Sequence, residues 1–409
     1  MKKVVYILIS IFIIFILLSQ IDDELSDDAK NFINRIDTDR NSESFLYLYG
    51  IFAKENEDPI KTGKNILEEY QKLNIDTNYQ VIDYPESEKL PLPQGDEFCT
   101  LGEEGCLAFM FSSKVNVEKL LDKHRVLISR SNRFLEFDEY STLSKPTITE
   151  LFPPYQYISK AERIKVLKAI SIFKNGETDK AIDLLLTQFN KLRKAMELQD
   201  TMIGKLVYLS KLSEIIDVYS IVLSKEGLNT DELPNLTDSE KSFYMVAARE
   251  FAIGYYSFLD LDKAPDFFQE DSNFPGWVIR MLYKPNMTIN ATIPMYQQIE
   301  SLTKMPPHDF VKYIEVESAL RPSSSMVRNY TGNILLGIAS PSFDEYAARF
   351  FDLEAKLALF NQIYHFDQKM ENFKNPYYGQ ERPKKVKGSL CFSGPLEDSM
   401  SLRCVRIKI

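Results

Sequence analysis

Histidine, the side chain most often used as a general base, occurs at only three positions in the chain. His124 lies between two cationic residues, which predicts an exposed helix position. His308 follows two prolines and is expected in the first turn of a helix. His365 lies on a long predicted helix with Asp367, at a spacing that points the two side chains to different faces. No pair has the spacing of a His-Glu-x-x-His motif, which excludes a zincin-type peptidase.

Two Ser-x-x-Lys segments could in principle supply a serine nucleophile with a lysine base. They run from Ser171 to Lys174 and from Ser301 to Lys304, and a Lys-Thr-Gly element runs from Lys61 to Gly63. In penicillin-binding enzymes the nucleophile motif comes first and the Lys-Thr-Gly element last, on a strand. Here the Lys-Thr-Gly element precedes both serines and lies at a helix start. We therefore predict no serine acyl-enzyme.

Paired carboxylates are harder to exclude, because a glycosidase needs only two acids about 5 to 9 Å apart, with no fixed spacing in sequence. Each available pair is more simply read as solvated charge on a helix or loop. No catalytic, cofactor-binding or metal-binding residue is therefore predicted. The pairs considered are Glu315 with Glu317, Glu68 with Glu69, and Asp266 with Glu270.

Four cysteines fall into two local pairs, Cys99 with Cys106 and Cys391 with Cys404, which is typical of an oxidising compartment. Three pairings are possible in principle, and we predict the two local disulfides. The small ring from Cys99 to Cys106 would stabilise the fold by only about 2.5 kcal/mol. Neither pair has the close spacing of a zinc site.

The N-terminus predicts a membrane anchor. Lys2 and Lys3 precede an apolar run from Val4 to Leu18, and several acids follow from Asp22 onward, so the N-terminus should remain cytoplasmic and the body should be exported. A helix from residue 4 to residue 21 would span about 27 Å, the short end of a bilayer crossing. No A-x-A-like cleavage site follows, so we predict an uncleaved anchor, with a cleaved signal peptide as the alternative.

Charge argues against a nucleic-acid partner. The 409 residues include 59 acidic and 49 basic side chains, a formal charge of −10, with the acids spread along the chain. A phosphate-binding surface needs a clustered basic face. The only dense basic run, Lys384, Lys385 and Lys387, is predicted to be a solvated face beside a turn.

Helical periodicity is strongest from Ala161 to Lys225, where three consecutive helices are predicted. Five apolar residues of the second helix share one face, which indicates a packed core. The turn from Asn175 to Thr178, followed by Ala181, resembles the helix junction of tetratricopeptide-type repeats. No second copy at that period is found. The five residues are Ile182, Leu185, Phe189, Leu192 and Met196.

Capping signals place two of the helix starts. Ser159 with Glu162 predicts a capping box that opens the first of the three central helices. Thr237 with Glu240 predicts another capping box, and the segment from residue 265 to residue 285 is predicted to be a loop containing the single tryptophan, Trp277.

Near the C-terminus the period changes to two. Val405, Ile407 and Ile409 alternate with basic residues, and the segment from Leu390 to Ser393 could supply a partner strand. A C-terminal β-hairpin closed by Cys391 and Cys404 is expected.

The predicted fold class is mainly α, with an N-terminal transmembrane helix, a helical hairpin bundle and the small β-hairpin. The domain organisation follows in order: residues 1–21 as signal anchor, 22–41 as spacer, 42–158 as a helical and loop segment with the Cys99 to Cys106 turn, 159–373 as helical core, and 374–409 as the hairpin.

Three places together resemble an uncharacterised family of membrane-anchored, exported helical proteins of Gram-negative bacteria. They are Tyr49-Gly50 with Asp58-Pro59 and Gly63; Cys99 and Cys106 with Leu127 and Arg130; and Asn375-Pro376-Tyr377. The resemblance implies an inner-membrane protein with its body in the periplasm, and it implies no activity.

The leading hypothesis is a non-enzymatic scaffold or accessory protein of the cell envelope that holds a protein or peptide in a helical groove. The alternatives are an envelope hydrolase of peptidoglycan or glycans that uses a carboxylate pair, and a carrier of an apolar ligand. A cleft with two converging carboxylates, one with a raised pKa, would favour the hydrolase. A dry cavity lined by Phe and Tyr would favour the carrier.

Overall fold

A computed structural model of the protein describes residues 3, 4, 6, 7, 10, 19–72, 88–94, 99, 105–112, 115–263, 275–316, 322–339, 342–365 and 372–408. Most of the apolar run, and with it the predicted transmembrane helix, lies outside these residues. Within them, no helix is both long enough and apolar enough to cross a membrane.

The first part of the chain forms short helices, several of which begin at a polar capping residue. Ser26, Ser42 and Asn116 each accept a hydrogen bond from a backbone amide of the first helical turn. The helices are α1 (Asp27–Asn34), α2 (Glu43–Tyr49), α3 (Pro59–Lys72), α4 (Cys106–Phe111), α5 (Val117–Lys123) and α6 (Arg125–Phe134).

Helix α1 lies within residues 22–41, a segment whose composition suggests a spacer or a frayed helix, and it packs against the body. Ala29 and Phe32 lie three residues apart on one face and are buried, and the Phe32 ring lies 5.2 Å from that of Phe251. The segment looked solvated because Asp and Asn dominate it. Its two buried side chains, Ala29 and Phe32, lie on the face that packs against the body.

The three predicted central helices are present as α7 (Gln156–Lys174), α8 (Thr178–Leu198) and α9 (Met202–Glu226). Four of the five residues on the predicted face of α8 are buried, and Ile182 is partly buried. Gly176 adopts a φ of +84° in the turn between α7 and α8, and Gly227 ends α9 with a φ of +65°.

The predicted capping box at Ser159 is wrong, because α7 already begins at Gln156. The amide of Tyr157 donates to the carbonyl of Pro154, and the amide of Ser159 donates to the carbonyl of Tyr155, so the first turn forms directly after the prolines. Glu162 is instead a buried residue inside the helix. The boundary placed between residues 158 and 159 falls within α7, and the domain boundaries otherwise stay predictions.

The second part of the chain is also helical. Thr237 and Glu240 form the predicted capping box, although the helix they open has only four residues. Part of the predicted loop around Trp277 is helical. The helices are α10 (Asp238–Lys241), α11 (Tyr244–Lys263), α12 (Gly276–Met281), α13 (Pro285–Leu302), α14 (Pro307–Val316), α15 (Tyr330–Ala339) and α16 (Phe343–Tyr364).

The C-terminal segment forms two small antiparallel sheets. The strands β1 (Lys374–Asn375) and β2 (Gly379–Gln380) pair with each other, and β3 (Lys384–Val386), β4 (Ser389–Cys391) and β5 (Cys404–Arg406) form a sheet in that order. The predicted hairpin is the pair β4 and β5, in which Cys391 lies opposite Cys404. The sequence did not predict β3, because its lysines gave no alternation of apolar and polar residues.

The lysine run behaves as predicted. Strand β3 is exposed at all three positions, and Lys387 and Gly388 turn the chain with φ angles of 43° and 82°. Both predicted disulfides are present, Cys99 with Cys106 and Cys391 with Cys404.

Candidate functional site

His124 is not exposed as predicted; only 2% of its surface is accessible. The structure ends α5 at Lys123 and begins α6 at Arg125, so His124 occupies the junction, with φ and ψ of −110° and 25° instead of helical values. This break turns the ring inward while its neighbours stay outside. The residue borders a small cleft of about 150 Å³ with Lys54, Lys89 and Lys123.

The other two histidines lie at helix ends. His308 is exposed in the first turn of α14, as predicted, with its Nε2 atom 3.4 Å from a carboxylate oxygen of Asp309. His365 follows the last residue of α16 instead of lying within the helix, and its Nδ1 atom is 3.1 Å from the carbonyl of Thr230.

The Ser-x-x-Lys segments do not assemble a nucleophile with its base. The Lys174 ammonium donates to the carbonyl of Ser112, and the Ser301 hydroxyl donates to the carbonyl of Gln298 within its own helix. Lys304 is 3.8 Å from Glu300. These contacts are those of ordinary helix surface residues.

The carboxylate pairs considered from the sequence are exposed where the structure describes them. Glu68 and Glu69 lie on the solvent side of α3, and Glu315 is exposed on α14. Glu317, Asp266 and Glu270 lie outside the described residues. Within the described part of the chain, no group of three or more His, Cys, Asp or Glu side chains could hold a metal ion.

A different set of acids does converge, at a cleft of about 180 Å³ between α16 and the loop before β5. We call it the acidic cleft, and it is lined by Glu345, Arg349, Asp352, Glu397 and Asp398. Sequence reasoning missed it, because no spacing rule joins residues on a helix to a loop in another element.

Asp352 is the buried acid of this cleft. Its Oδ1 atom accepts a hydrogen bond of 2.7 Å from the hydroxyl of Tyr377 and lies 3.1 Å from Nη1 of Arg403. Burial raises the pKa of Asp352 from 3.8 to about 6, although the Arg403 guanidinium opposes the shift. Asp398 accepts hydrogen bonds of 2.8 Å from the amides of Leu402 and Arg403. The cleft thus places a protonatable acid near a second carboxylate, but one oxygen of that acid already binds Tyr377 and Arg403.

A wider groove of about 380 Å³ runs between the loop after α9, the C-terminal half of α16 and β1. Four amide side chains dominate its lining, so we call it the amide groove: Asn235, Asn361, Gln362 and Asn375, with Glu232 and Lys374 of opposite charge beside them. Its volume falls in the range of about 300 to 1,000 Å³ that is typical of ligand sites.

Three of the four amide side chains of this groove already bind main chain, and Asn375 does so by donating to the carbonyl of Ser393 at 2.9 Å. The Oδ1 atom of Asn361 accepts a hydrogen bond of 2.9 Å from the amide of Leu233, and its Nδ2 donates at 2.8 Å to the carbonyl of the same residue. Gln362 likewise donates to the carbonyl of Lys374 at 3.0 Å and accepts from its amide at 2.5 Å. The side chains of Asn361 and Gln362 thus each donate a hydrogen bond to the main chain of one residue and accept one from it, as two peptide groups can do, and these bonds fix the walls of the groove.

The loop wall of the groove is held by Arg193 of α8. Its guanidinium donates to the carbonyls of Pro234 and Asn235 at 2.6 Å each, and it binds both carboxylate oxygens of Glu240. Arginine suits this position because its planar fork can bind several acceptors at once. The exposed residue Asn235 therefore lies on a loop whose backbone position is fixed by Arg193.

Buried ion pairs bind the helices around these clefts to one another and to neighbouring loops. Each pair below has both side chains less than about a tenth exposed. They are Arg163 with Glu214 (3.0 Å), Arg193 with Glu240 (2.6 Å), Arg249 with Glu150 (2.5 Å) and Arg403 with Asp352 (3.1 Å).

Comparisons with protein-family models, with curated proteins and with solved structures found no match to the chain.

Proposed function

We propose that the protein is a non-enzymatic accessory protein of the cell envelope, anchored in the inner membrane by a single N-terminal helix. In this proposal the body lies in the periplasm and holds an extended peptide segment of a partner protein. The two disulfides support an oxidising compartment. The anchor and its orientation rest on the lysines, the apolar run and the acids at the N-terminus.

The observation that carries the peptide-binding role is the amide groove. An amide side chain offers both a donor and an acceptor to a peptide group. The exposed Asn235 presents such a group at the edge of a groove whose walls are fixed by Arg193, Asn361 and Gln362. Glu232 and Lys374 add one charge of each sign, which would orient a bound segment.

Crosslinking in intact cells tests this role. A photoreactive residue at Asn235 or Ala358, both in the groove lining, should form an adduct with one reproducible protein, identified by mass spectrometry. A photoreactive residue at Lys194, exposed on α8, serves as the matched control. Adducts from Lys194 alone, or no protein adduct from either groove position, would contradict the proposal.

The acidic cleft favours a second candidate, an envelope hydrolase in which Asp352 is the general acid. The supporting observation is the position of Asp352 in a cleft beside the carboxylates of Glu397 and Asp398, together with its pKa, which burial raises to about 6. Purified protein should then release soluble fragments from peptidoglycan, and Asp352→Asn should abolish this release. Glu397→Gln is the control, because it retains the fold and the contacts that Asp352 makes inside the protein. Unchanged peptidoglycan with the wild-type protein would exclude this role.

We do not propose a carrier of an apolar ligand, because the three clefts described above contain no phenylalanine or tyrosine in their lining.

The anchor is tested by the mature N-terminus. Intact-mass analysis of protein isolated from membranes should give a chain that begins at or next to Met1. A chain that begins near Gln20 would instead identify a soluble exported protein.

A further inference from the structure

An apolar patch is exposed on the body at α12 and α15. Helix α12 has no buried residue, and Trp277 on it is 67% exposed. On α15, Tyr330, Ile334 and Ile338 follow one another at intervals of four residues and are all exposed, so they form one stripe. Met326 and Val327, in the turn before α15, extend the stripe and are also exposed. Contiguous exposed apolar surface of this kind marks a site of contact with a partner or a membrane.

The two helices of the apolar patch are tied together. The amide of Thr331 donates to the carbonyl of Leu282 at 3.1 Å, and the Thr331 hydroxyl donates to the carbonyl of Ile279 at 2.9 Å. These bonds place the beginning of α15 against the end of α12. The exposed side chains of the two helices therefore belong to one surface.

The chain emerges from the N-terminal apolar run at this same surface. Arg328, next to Val327, donates to the carbonyl of Ile21 at 2.5 Å and to the carboxylate of Asp23 at 3.0 Å. Ile21 is itself 58% exposed. The apolar patch and the end of the apolar run are thus held side by side by one arginine.

We propose that the apolar patch lies in the lipid-water interface of the bilayer, so that the body rests on the membrane through α12 and α15. This inference rests on the proposed membrane anchor. Tryptophan and tyrosine favour the interface, because their rings are apolar and their N–H or O–H groups can remain hydrated. A short amphipathic surface of this kind inserts its apolar face among the lipid headgroups.

The alternative cover would be the apolar run itself, folded back onto the patch. The described residues of the run argue against this arrangement, because Val4, Tyr6 and Ile7 are each more than half exposed. The described residues of the run and the patch therefore both present apolar side chains that need an apolar environment, and one bilayer supplies it for both.

Trp277 is the only tryptophan of the chain and so serves as a native reporter. The full-length protein would be reconstituted in vesicles of phosphatidylethanolamine and phosphatidylglycerol, with or without brominated acyl chains. Bromine quenches tryptophan only at close approach. We expect Trp277 emission in brominated lipid to be at most half of that in unbrominated lipid. In both lipids the emission maximum should lie at shorter wavelength than that of water-exposed tryptophan.

The matched control moves the reporter to a distant site in the double variant Trp277→Phe/Leu228→Trp. Leu228 is 40% exposed, and the neighbouring Thr230 binds Tyr364 at the C-terminal end of α16. The other end of α16 contacts α13 through Phe343 and Tyr296, and the 22-residue helix rises about 33 Å between its ends. Emission of the control should be unaffected by bromine.

Flotation of the same vesicles separates the two proposals. Protein that does not float with the vesicles would overturn the anchor and this inference together. Protein that floats with an unquenched Trp277 would overturn the inference alone. In that case, blue-shifted emission that depends on the protein-to-lipid ratio would assign the patch to contact with a second copy, and emission at the wavelength of water-exposed tryptophan would show that the patch faces the solvent.

Discussion

Arginine accompanies the buried carboxylates with raised pKa values at two places in the molecule. Glu150 binds Arg249 at 2.5 Å, and Asp352 binds Arg403 at 3.1 Å. Arg249 also donates to two backbone carbonyls of the loop before α7, and Arg403 donates to the carbonyl of Leu396. These acids hold loops in place, and their shifted pKa values arise from burial. A raised pKa alone is therefore weak evidence for catalysis in this protein.

Glu150 should make stability depend on pH. Burial raises its pKa from 4.5 to about 7, despite Arg249. Between these two values the folded state binds more protons than the unfolded state, so the contribution of Glu150 to the free energy of unfolding falls as pH rises from 4.5 to 7, by at most about 3 kcal/mol. Glu150→Gln should remove this dependence, as measured by urea unfolding at several pH values.

Glutamine does not ionise, and the ion pair with Arg249, which forms only with the ionised carboxylate, is already included in the pKa of about 7. Glu136→Gln, at a position with a side chain 52% exposed, is the control and should follow the wild-type curve. Parallel curves for wild type and Glu150→Gln would show that the carboxyl is not perturbed as described.

Single residues were the hardest features to predict from sequence. His124 looked exposed because both neighbours are cations, and only the break between α5 and α6 buries it. The acidic cleft joins Asp352 to Asp398 through tertiary packing, which leaves no periodic signal. The cysteines were predictable, because closing a short ring restricts the choice of partner.

At the scale of the element, two glycines allow α2 and α3 to approach closely. A Cβ atom on Gly63 would overlap the carbonyl oxygen of Leu46, and one on Gly50 would overlap the carbonyl oxygen of Pro59. Arg130 binds the carbonyls of Ile51, Ala53, Lys54 and Glu57 in the connecting loop. The residues that carry part of the family resemblance thus have a structural role here.

Gly63→Ala should therefore destabilise the fold by about 2 to 3 kcal/mol, since the two backbones must separate to admit a methyl group. Gly337→Ala is the control. It lies on α15, where an added Cβ meets nothing within 4 Å, so the substitution should be neutral or stabilise by up to about 1 kcal/mol. Thermal unfolding of both variants measures the difference, and equal melting temperatures would contradict the close approach.

Elements with strong periodicity were predicted well, and elements defined by long-range contacts were not. The face of α8 and the pairing of β4 with β5 follow from local patterns. Helix α1 is stabilised by contacts of Phe32 with α11 and α13, and nothing near it in sequence announces them. Strand β3 forms because β4 offers it a partner, despite its lysines.

At the scale of the whole molecule, the segment after the apolar run is fastened to α13. The carboxylate of Asp22 accepts hydrogen bonds from the amides of Asn286 (2.8 Å) and Met287 (3.1 Å), in the first turn of that helix. Asn290 exchanges hydrogen bonds with the main chain of Glu24 and Ser26. A carboxylate at a helix N-terminus satisfies free amides and interacts favourably with the helix dipole.

Asp22→Ala should weaken the attachment of this segment to the first turn of α13 and cost about 1 kcal/mol of stability, while the Asn290 contacts remain. Hydrogen exchange at the amides of Asn286 and Met287 should become faster. Glu24→Ala is the matched control, because only the main-chain carbonyl of Glu24 is used in the contact with Asn290. Unchanged exchange in Asp22→Ala would mean that the segment is not docked through its carboxylate.

The contacts of residues 21–28 with α13 and Arg328 limit how far the body can move from its point of attachment. A flexible linker of twenty residues would let the body search a radius of about 25 Å around its point of attachment. With the chain bound to α13 and Arg328 directly after Ile21, that freedom is removed. A membrane-anchored protein held in this way would keep the amide groove at a fixed distance from the bilayer and in a fixed orientation. It would therefore bind only partners whose peptide segment lies at that distance from the membrane.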